Sequence, residues 1–203
     1  MKKILIYGDS NTWGDNLITK KRLSDEYLWA NKLNNLLGSD YKVLQEGLPG
    51  RQAGNKDEKE PYKNGKDSFE AIFKSNAPID TLIIALGTND LNKKFLNSSQ
   101  DVINNLLWYE DKVKEIYEYL PDKYFNNKFP NIYYLLPVNF NVERSFPQES
   151  EDKRQELITY FKNNKNNQSI IVDNVTLVDG LHMDIEGHDK VSKIVYEFIK
   201  KNS

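Results

Sequence analysis

The run Thr-Leu-Ile-Ile-Ala-Leu at residues 81–86 constrains the fold more than any other segment. It is apolar throughout after its threonine, too short for a buried helix, and closed by Gly87. A segment of this kind reads as a strand buried on both faces, which belongs in a parallel sheet with helices packed on either side. Similar runs occur at residues 4–7, stopped by Gly8, at 41–45, at 132–136, ended by Pro137, and at 169–172. Helical patterns separate them. Leu28, Leu33, Leu36 and Leu37 sit at helical spacing before Gly38. Ser98-x-x-Asp101 has the form of a capping box and opens a helix that runs to about Leu120. A charged helix is expected over about 149–161, and Val191, Ile194, Val195, Phe198 and Ile199 form the apolar stripe of a last one. Alternating strands and helices predict an α/β chain with a parallel sheet covered on both faces. At 203 residues it is expected to form one domain, 1–203. Residues 51–67 and 137–150 read as long polar loops.

Composition removes several functions. There is no cysteine, which excludes thiol nucleophiles, thiolate metal sites and disulfide scaffolds. The two histidines, His182 and His188, sit in no compact ligand cluster, so no metal is expected. Lysine and arginine total 28 against 30 acidic residues, a balance without the concentrated basic face of a nucleic-acid binder. No apolar stretch approaches the roughly 20 residues that span a bilayer. The apolar run after Lys3 is too short for a secretory core. A soluble, cytoplasmic protein is the expectation.

In a parallel sheet of this type, ligands bind beyond the carboxyl ends of the strands. The first run is followed there by Gly8-Asp9-Ser10-Asn11-Thr12-Trp13-Gly14 and the second by Gln45-Glu46-Gly47-Leu48-Pro49-Gly50-Arg51. Gly87-Thr88-Asn89-Asp90 follows the third, and Val178-Asp179-Gly180-Leu181-His182 precedes the final helix. Acyl transfer needs a hydroxyl, a base oriented by an acid, and donors for the developing oxyanion. Ser10 is the candidate nucleophile, His182 the base, and Asp179, three residues upstream, its orienting acid. The Ser10 and Gly50 backbone N–H groups and the Asn89 amide are the candidate oxyanion donors.

These four segments, "GDSNTWG", "EGLPGR", "GTND" and "DGLH", resemble in order and context the blocks of the SGNH (GDSL-type) hydrolases, and most closely their arylesterase/acyltransferase branch. The resemblance implies a flavodoxin-like three-layer α/β/α fold with a mostly five-stranded parallel sheet. It also implies hydrolysis or transfer of acyl groups from small ester substrates, and no cofactor; the polar loops flanking the site lean toward short acyl groups. It makes Gly50 rather than Gly47 the oxyanion glycine. That branch usually carries two threonines where Gln52-Ala53 follow Arg51 here.

Each residue also has a plainer reading. Ser10 would serve as a helix N-cap and Asp9 as an acid that bonds turn amides. Gly47 and Gly50 would meet turn geometry alone, and Trp13 would be core. His188, near Asp184 and Asp189, reads as structural. Arg51 reads as a structural salt bridge in preference to a substrate-carboxylate ligand, and the charges at 56–60 as a solvated loop. Rival functions are a carbohydrate O-deacetylase, a lysophospholipase or thioesterase, a flavodoxin-like protein binding flavin mononucleotide at Gly8–Gly14, and an inactive scaffold. The long insertions are candidate contacts for a homo-oligomer.

Overall fold

A computed structural model describes residues 1–54, 57–141 and 145–202. In chain order its strands are β1 (Lys2–Gly8), β2 (Asp15–Asn16), β3 (Lys21–Arg22), β4 (Tyr41–Gly47), β5 (Thr81–Ala85), β6 (Asn131–Leu135) and β7 (Ser169–Ile170). Its helices are α1 (Ser10–Trp13), α2 (Trp29–Leu37), α3 (Gly65–Asn76), α4 (Ser99–Tyr119), α5 (Pro121–Phe125), α6 (Gln148–Asn164) and α7 (Ile185–Asn202). Five strands form one parallel sheet in the order β4-β1-β5-β6-β7, and β2 and β3 form a separate antiparallel ribbon.

Period-two alternation sends neighbouring side chains of each strand to opposite faces. Ile4, Ile6, Ile83, Tyr133 and Leu135 pack on one side with α2 and α7, through Trp29, Leu33, Val191, Val195 and Ile199. Leu5, Tyr7, Leu82, Ile84 and Tyr134 pack on the other with α3, α4 and α6, through Phe69, Phe73, Leu106, Tyr109, Leu157 and Phe161. The result is the three-layer α/β/α arrangement, built because every central strand is apolar on both faces. The capping box expected at Ser98 forms: the Ser98 hydroxyl accepts from the Asp101 N–H, and the Asp101 carboxylate accepts from the Ser98 N–H at 2.9 Å.

α1, α3, α5 and the β2–β3 ribbon have no counterpart in the sequence reading, and α6 and β7 differ in extent. α3 begins at Gly65, inside the segment expected to be loop. Asn64 caps it by accepting the Lys66 N–H, and Phe69, Ile72 and Phe73 hold it on the core. That apolar spacing is short and lies among charges, which hid it. α6 starts at Gln148, so residues 148–150 are helical. The last strand pairs only over Ser169–Ile170 rather than 169–172; its register with β6 ends at Leu135↔Ile170.

The strand order places β1 between β4 and β5, whose connecting segments leave on opposite faces of the sheet. This is the switch point where doubly wound sheets open a crevice. Every segment singled out above leaves the sheet or joins α7 at that edge. No helix among the described residues is long and apolar enough to cross a membrane.

Candidate active site

β1 ends at Gly8, and the chain turns at once into the single-turn helix α1. Asp9, not Ser10, is its N-cap: the carboxylate accepts the Asn11 N–H at 3.0 Å. Ser10 is therefore the first helical residue, with its hydroxyl directed away from the cap. α1 lies directly on the end of β4. A Cβ added at Gly47 would stand 2.4 Å from the Trp13 backbone nitrogen, so only glycine permits that approach.

The loop before α7 brings Asp179 and His182 to Ser10. His182 Nε2 lies 3.1 Å from Ser10 Oγ, and His182 Nδ1 lies 2.8 Å from Asp179 Oδ2. Asp179 Oδ1 accepts the N–H groups of Leu181 at 3.0 Å and His182 at 2.8 Å, so its own turn fixes the carboxylate. Partial burial pushes the Asp179 carboxyl up. The His182 and Leu181 amides and the imidazole outweigh it and hold the group below the ordinary carboxylate value. Ser10 and His182 are both buried, at 6% and 5% exposure, so their hydrogen bond faces little competition from water.

A residue the sequence reading did not single out secures this arrangement. The Asn11 side-chain amide donates to the Leu181 carbonyl at 3.2 Å, and its oxygen accepts the Met183 N–H at 2.9 Å. One side chain thus holds the backbone on both sides of His182. Asparagine adjoining the serine is the only signal the sequence offered, and it carries no information about a partner 170 residues away.

The other two segments are tied to each other. Leu48-Pro49-Gly50-Arg51 is a tight turn closed by the Arg51 N–H donating to the Leu48 carbonyl at 3.0 Å. Proline in its second place and Gly50 at φ 78° in its third are the requirements of a type II turn. Asn89 Nδ2 donates to the Arg51 carbonyl at 3.0 Å, which spends one amide hydrogen and fixes the direction of the other. Asp90, buried, accepts from Ala53 N–H at 2.8 Å and Gly54 N–H at 3.3 Å. The Ser10 and Gly50 N–H groups donate to no acceptor among the described residues. Burial raises both Asp9 and Asp90 to about 6.

Arg51 forms no salt bridge among the described residues. Its buried guanidinium donates to the carbonyls of Gly8, at 2.9 Å, and Glu46, and lies over the Tyr7 ring at 4.1 Å. The Gly8 carbonyl also accepts the Leu48 N–H at 3.1 Å, and the guanidinium ties it to the Glu46 carbonyl at the end of β4. His188 is buried at 1% exposure, and its Nδ1 accepts the Trp29 N–H at 3.2 Å. Burial pulls its pKa down to about 4, so it stays neutral and ties α7 to the start of α2. Trp13 is half-buried beneath the Arg22 guanidinium, 5.7 Å away, and is not core. Of the charges expected in a solvated loop, Asp57 pairs with Lys94 at 2.9 Å and Glu60 with Lys63 at 2.6 Å; Lys56 lies outside the described residues.

A cavity of about 250 Å³ opens beside these groups, lined by Leu17, Asn89, Asn92, Ser145, Phe146, Asp179 and Leu181. Among the described residues, no cluster of His, Asp or Glu is arranged to hold a metal ion.

No protein-family model and no curated protein matches this chain. Solved structures match it over their whole length. The inhibitor-bound aryl esterase of M. smegmatis superposes with a TM-score of 0.87 at 22% identity, covering 100% of each chain. Est24, a carbohydrate acetylesterase from Sinorhizobium meliloti, gives 0.87 at 20% identity over 99% of each. TesA gives 0.65 at 15% identity over 100% of each. The chain shares the three-layer α/β/α fold of these structures.

Proposed function

We propose that this protein is a serine hydrolase that cleaves, or transfers, short acyl groups from carboxylic esters through an acyl-enzyme. The observation that carries the reading is the continuous relay from Ser10 Oγ to His182 Nε2 at 3.1 Å and from His182 Nδ1 to Asp179 at 2.8 Å. Asp179 holds the proton on Nδ1, leaving the Nε2 lone pair aimed at the hydroxyl. As Ser10 Oγ attacks the ester carbonyl, Nε2 takes its proton. The oxyanion receives the Ser10 and Gly50 N–H groups and the free Asn89 amide hydrogen. The imidazolium then protonates the departing alcohol, and water, deprotonated by the same nitrogen, releases the acid. The likeness to structures titled aryl esterase and carbohydrate acetylesterase supports the class of reaction.

The alternative of a flavin phosphate site at residues 8–14 is disfavoured by electrostatics. The Asn11 N–H that a phosphate would need already serves the Asp9 carboxylate.

The size and lining of the cavity favour an acetyl or similarly short acyl group. Leu17, Phe146 and Leu181 supply a short apolar wall, and Asn89, Asn92 and Ser145 interrupt it. The polar part of that lining, together with the likeness to a carbohydrate acetylesterase, favours a sugar-borne acetyl ester as the second reading. Hydrolysis of p-nitrophenyl esters from acetate to palmitate and of acetylated sugars tests both. Rates are expected to fall with chain length, and a fluorophosphonate probe is expected to label the wild type but not Ser10→Ala. Rates that climb steadily to palmitate reject the short-acyl reading, and equal labelling of both proteins rejects the nucleophile.

The Asn11 clamp yields a separate expectation. Asn11→Leu keeps the volume and loses both hydrogen bonds to the His182 loop. Turnover is expected to drop by about 10²-fold with KM nearly unchanged, because a displaced base acts on the chemical step and not on binding. Asn11→Asp, which keeps the acceptor for Met183, is expected to fall between the two. A KM that rises while turnover holds would count against the clamp.

A further inference from the structure

His182 Nε2 faces a second group besides Ser10. The Asp15 carboxylate lies 4.0 Å from it, on the ribbon strand β2 that follows α1. Asp15 is not part of the relay, which runs through Nδ1 on the other side of the ring. Its side chain is one-fifth exposed and accepts no hydrogen bond from any described residue. The basic residue across the ribbon, Arg22, is occupied elsewhere: it pairs with Asp25 at 2.8 Å and donates to the Trp13 carbonyl at 2.7 Å. The lysine next to Gly50, Lys63, is likewise paired, with Glu60. A carboxylate with no lysine or arginine partner among the described residues therefore borders the one nitrogen that must hand a proton to the leaving alcohol.

We propose that Asp15 sets specificity on the alcohol side of the ester. It selects alcohols that present a positive charge or a hydrogen-bond donor beside the ester oxygen, and it disfavours anionic ones. The proposal rests on the esterase reading. The leaving oxygen must come within about 3 Å of Nε2 to be protonated, so the carboxylate stands no more than about 7 Å from it. At that range, with screening between that of protein and of water, one unit of charge on the alcohol changes the rate by roughly threefold to tenfold. A hydroxyl adjacent to the ester oxygen gains a charge-assisted hydrogen bond instead.

The test uses three acetate esters whose alcohol carries, two carbons from the ester oxygen, a trimethylammonium, a tert-butyl or a carboxylate group. kcat/KM is measured for the wild type, Asp15→Asn and Asp15→Glu. Dividing each variant's rates by those of the wild type removes the intrinsic reactivity of the leaving groups. Asp15→Asn is isosteric and breaks no hydrogen bond. It is expected to lower the ratio of cationic to anionic ester by about tenfold or more, and Asp15→Glu is expected to keep most of that ratio. In the wild type alone, raising sodium chloride from about 0.02 M to about 1 M is expected to compress the same ratio, since salt screens a partly exposed charge. That measurement needs no variant to fold. An active wild type whose ratio responds neither to Asp15→Asn nor to salt overturns the proposal and leaves the esterase reading standing. A wild type inactive on all three esters, and unlabelled by a fluorophosphonate, overturns the esterase reading and the proposal with it.

Discussion

His182→Ala is expected to lower turnover by roughly 10⁵-fold while leaving the fold and melting temperature nearly intact. Its ring nitrogens serve Ser10 and Asp179, and the Asp179 carboxylate keeps the Leu181 and His182 amides when the ring is removed, so the loss falls on chemistry more than on stability. The comparison that makes this informative is His188→Ala. That ring is equally buried, but it accepts the Trp29 N–H at 3.2 Å and faces α2. Its loss leaves a cavity and an unpaired buried donor, at a cost of about 1–3 kcal/mol, and turnover stays within about tenfold. Turnover and melting temperature of the two variants decide the matter. An active His182→Ala protein beside a folded but inactive His188→Ala protein would refute the proposed relay.

Asp179→Asn is expected to cost roughly 10⁴ in turnover at nearly unchanged stability. The asparagine oxygen can still accept the Leu181 and His182 amides, so the turn survives. Its NH₂ group, however, then faces Nδ1 and favours the tautomer with the proton on Nε2, the nitrogen 3.1 Å from Ser10 Oγ. A base protonated there cannot accept the hydroxyl proton. The residues act as a unit, so adding Asp179→Asn to His182→Ala is expected to reduce turnover little further. If the double variant were slower than His182→Ala by another 10⁴, Asp179 would have a role independent of the imidazole.

Much of the scaffold was readable in one dimension because its signals are local. The strand at 81–86 is apolar on both faces, the helix after Ser98 has its cap written three residues ahead, and the stripe from Val191 to Ile199 keeps a helical period. α3 was not readable in this way. Its apolar residues Phe69, Ile72 and Phe73 span little more than one turn, and what stabilises it is the far side of the core, Tyr7, Trp108 and Tyr109. The final strand was read too long for the opposite reason. Ile171 and Val172 are apolar because they pack, not because they pair.

The candidate site divides along the same line. The sequence by itself determined the four polar turns, their order, and the Asp179-to-His182 turn, whose bonds close within three residues. It also determined the glycine that a type II turn requires at position 50. Only the tertiary structure decided that Ser10 and His182, 172 residues apart, meet at 3.1 Å. It alone decided that Asn11 spans both sides of the histidine, that Arg51 serves two strand-end carbonyls, and that Asp15 stands 4.0 Å from Nε2 with no lysine or arginine partner among the described residues. The physical reason is that a polar side chain's role depends on which acceptor, donor or charge the sheet order brings to it. Hydrophobic period fixes which face of an element is buried, whereas nothing in it specifies the polar partner at the edge.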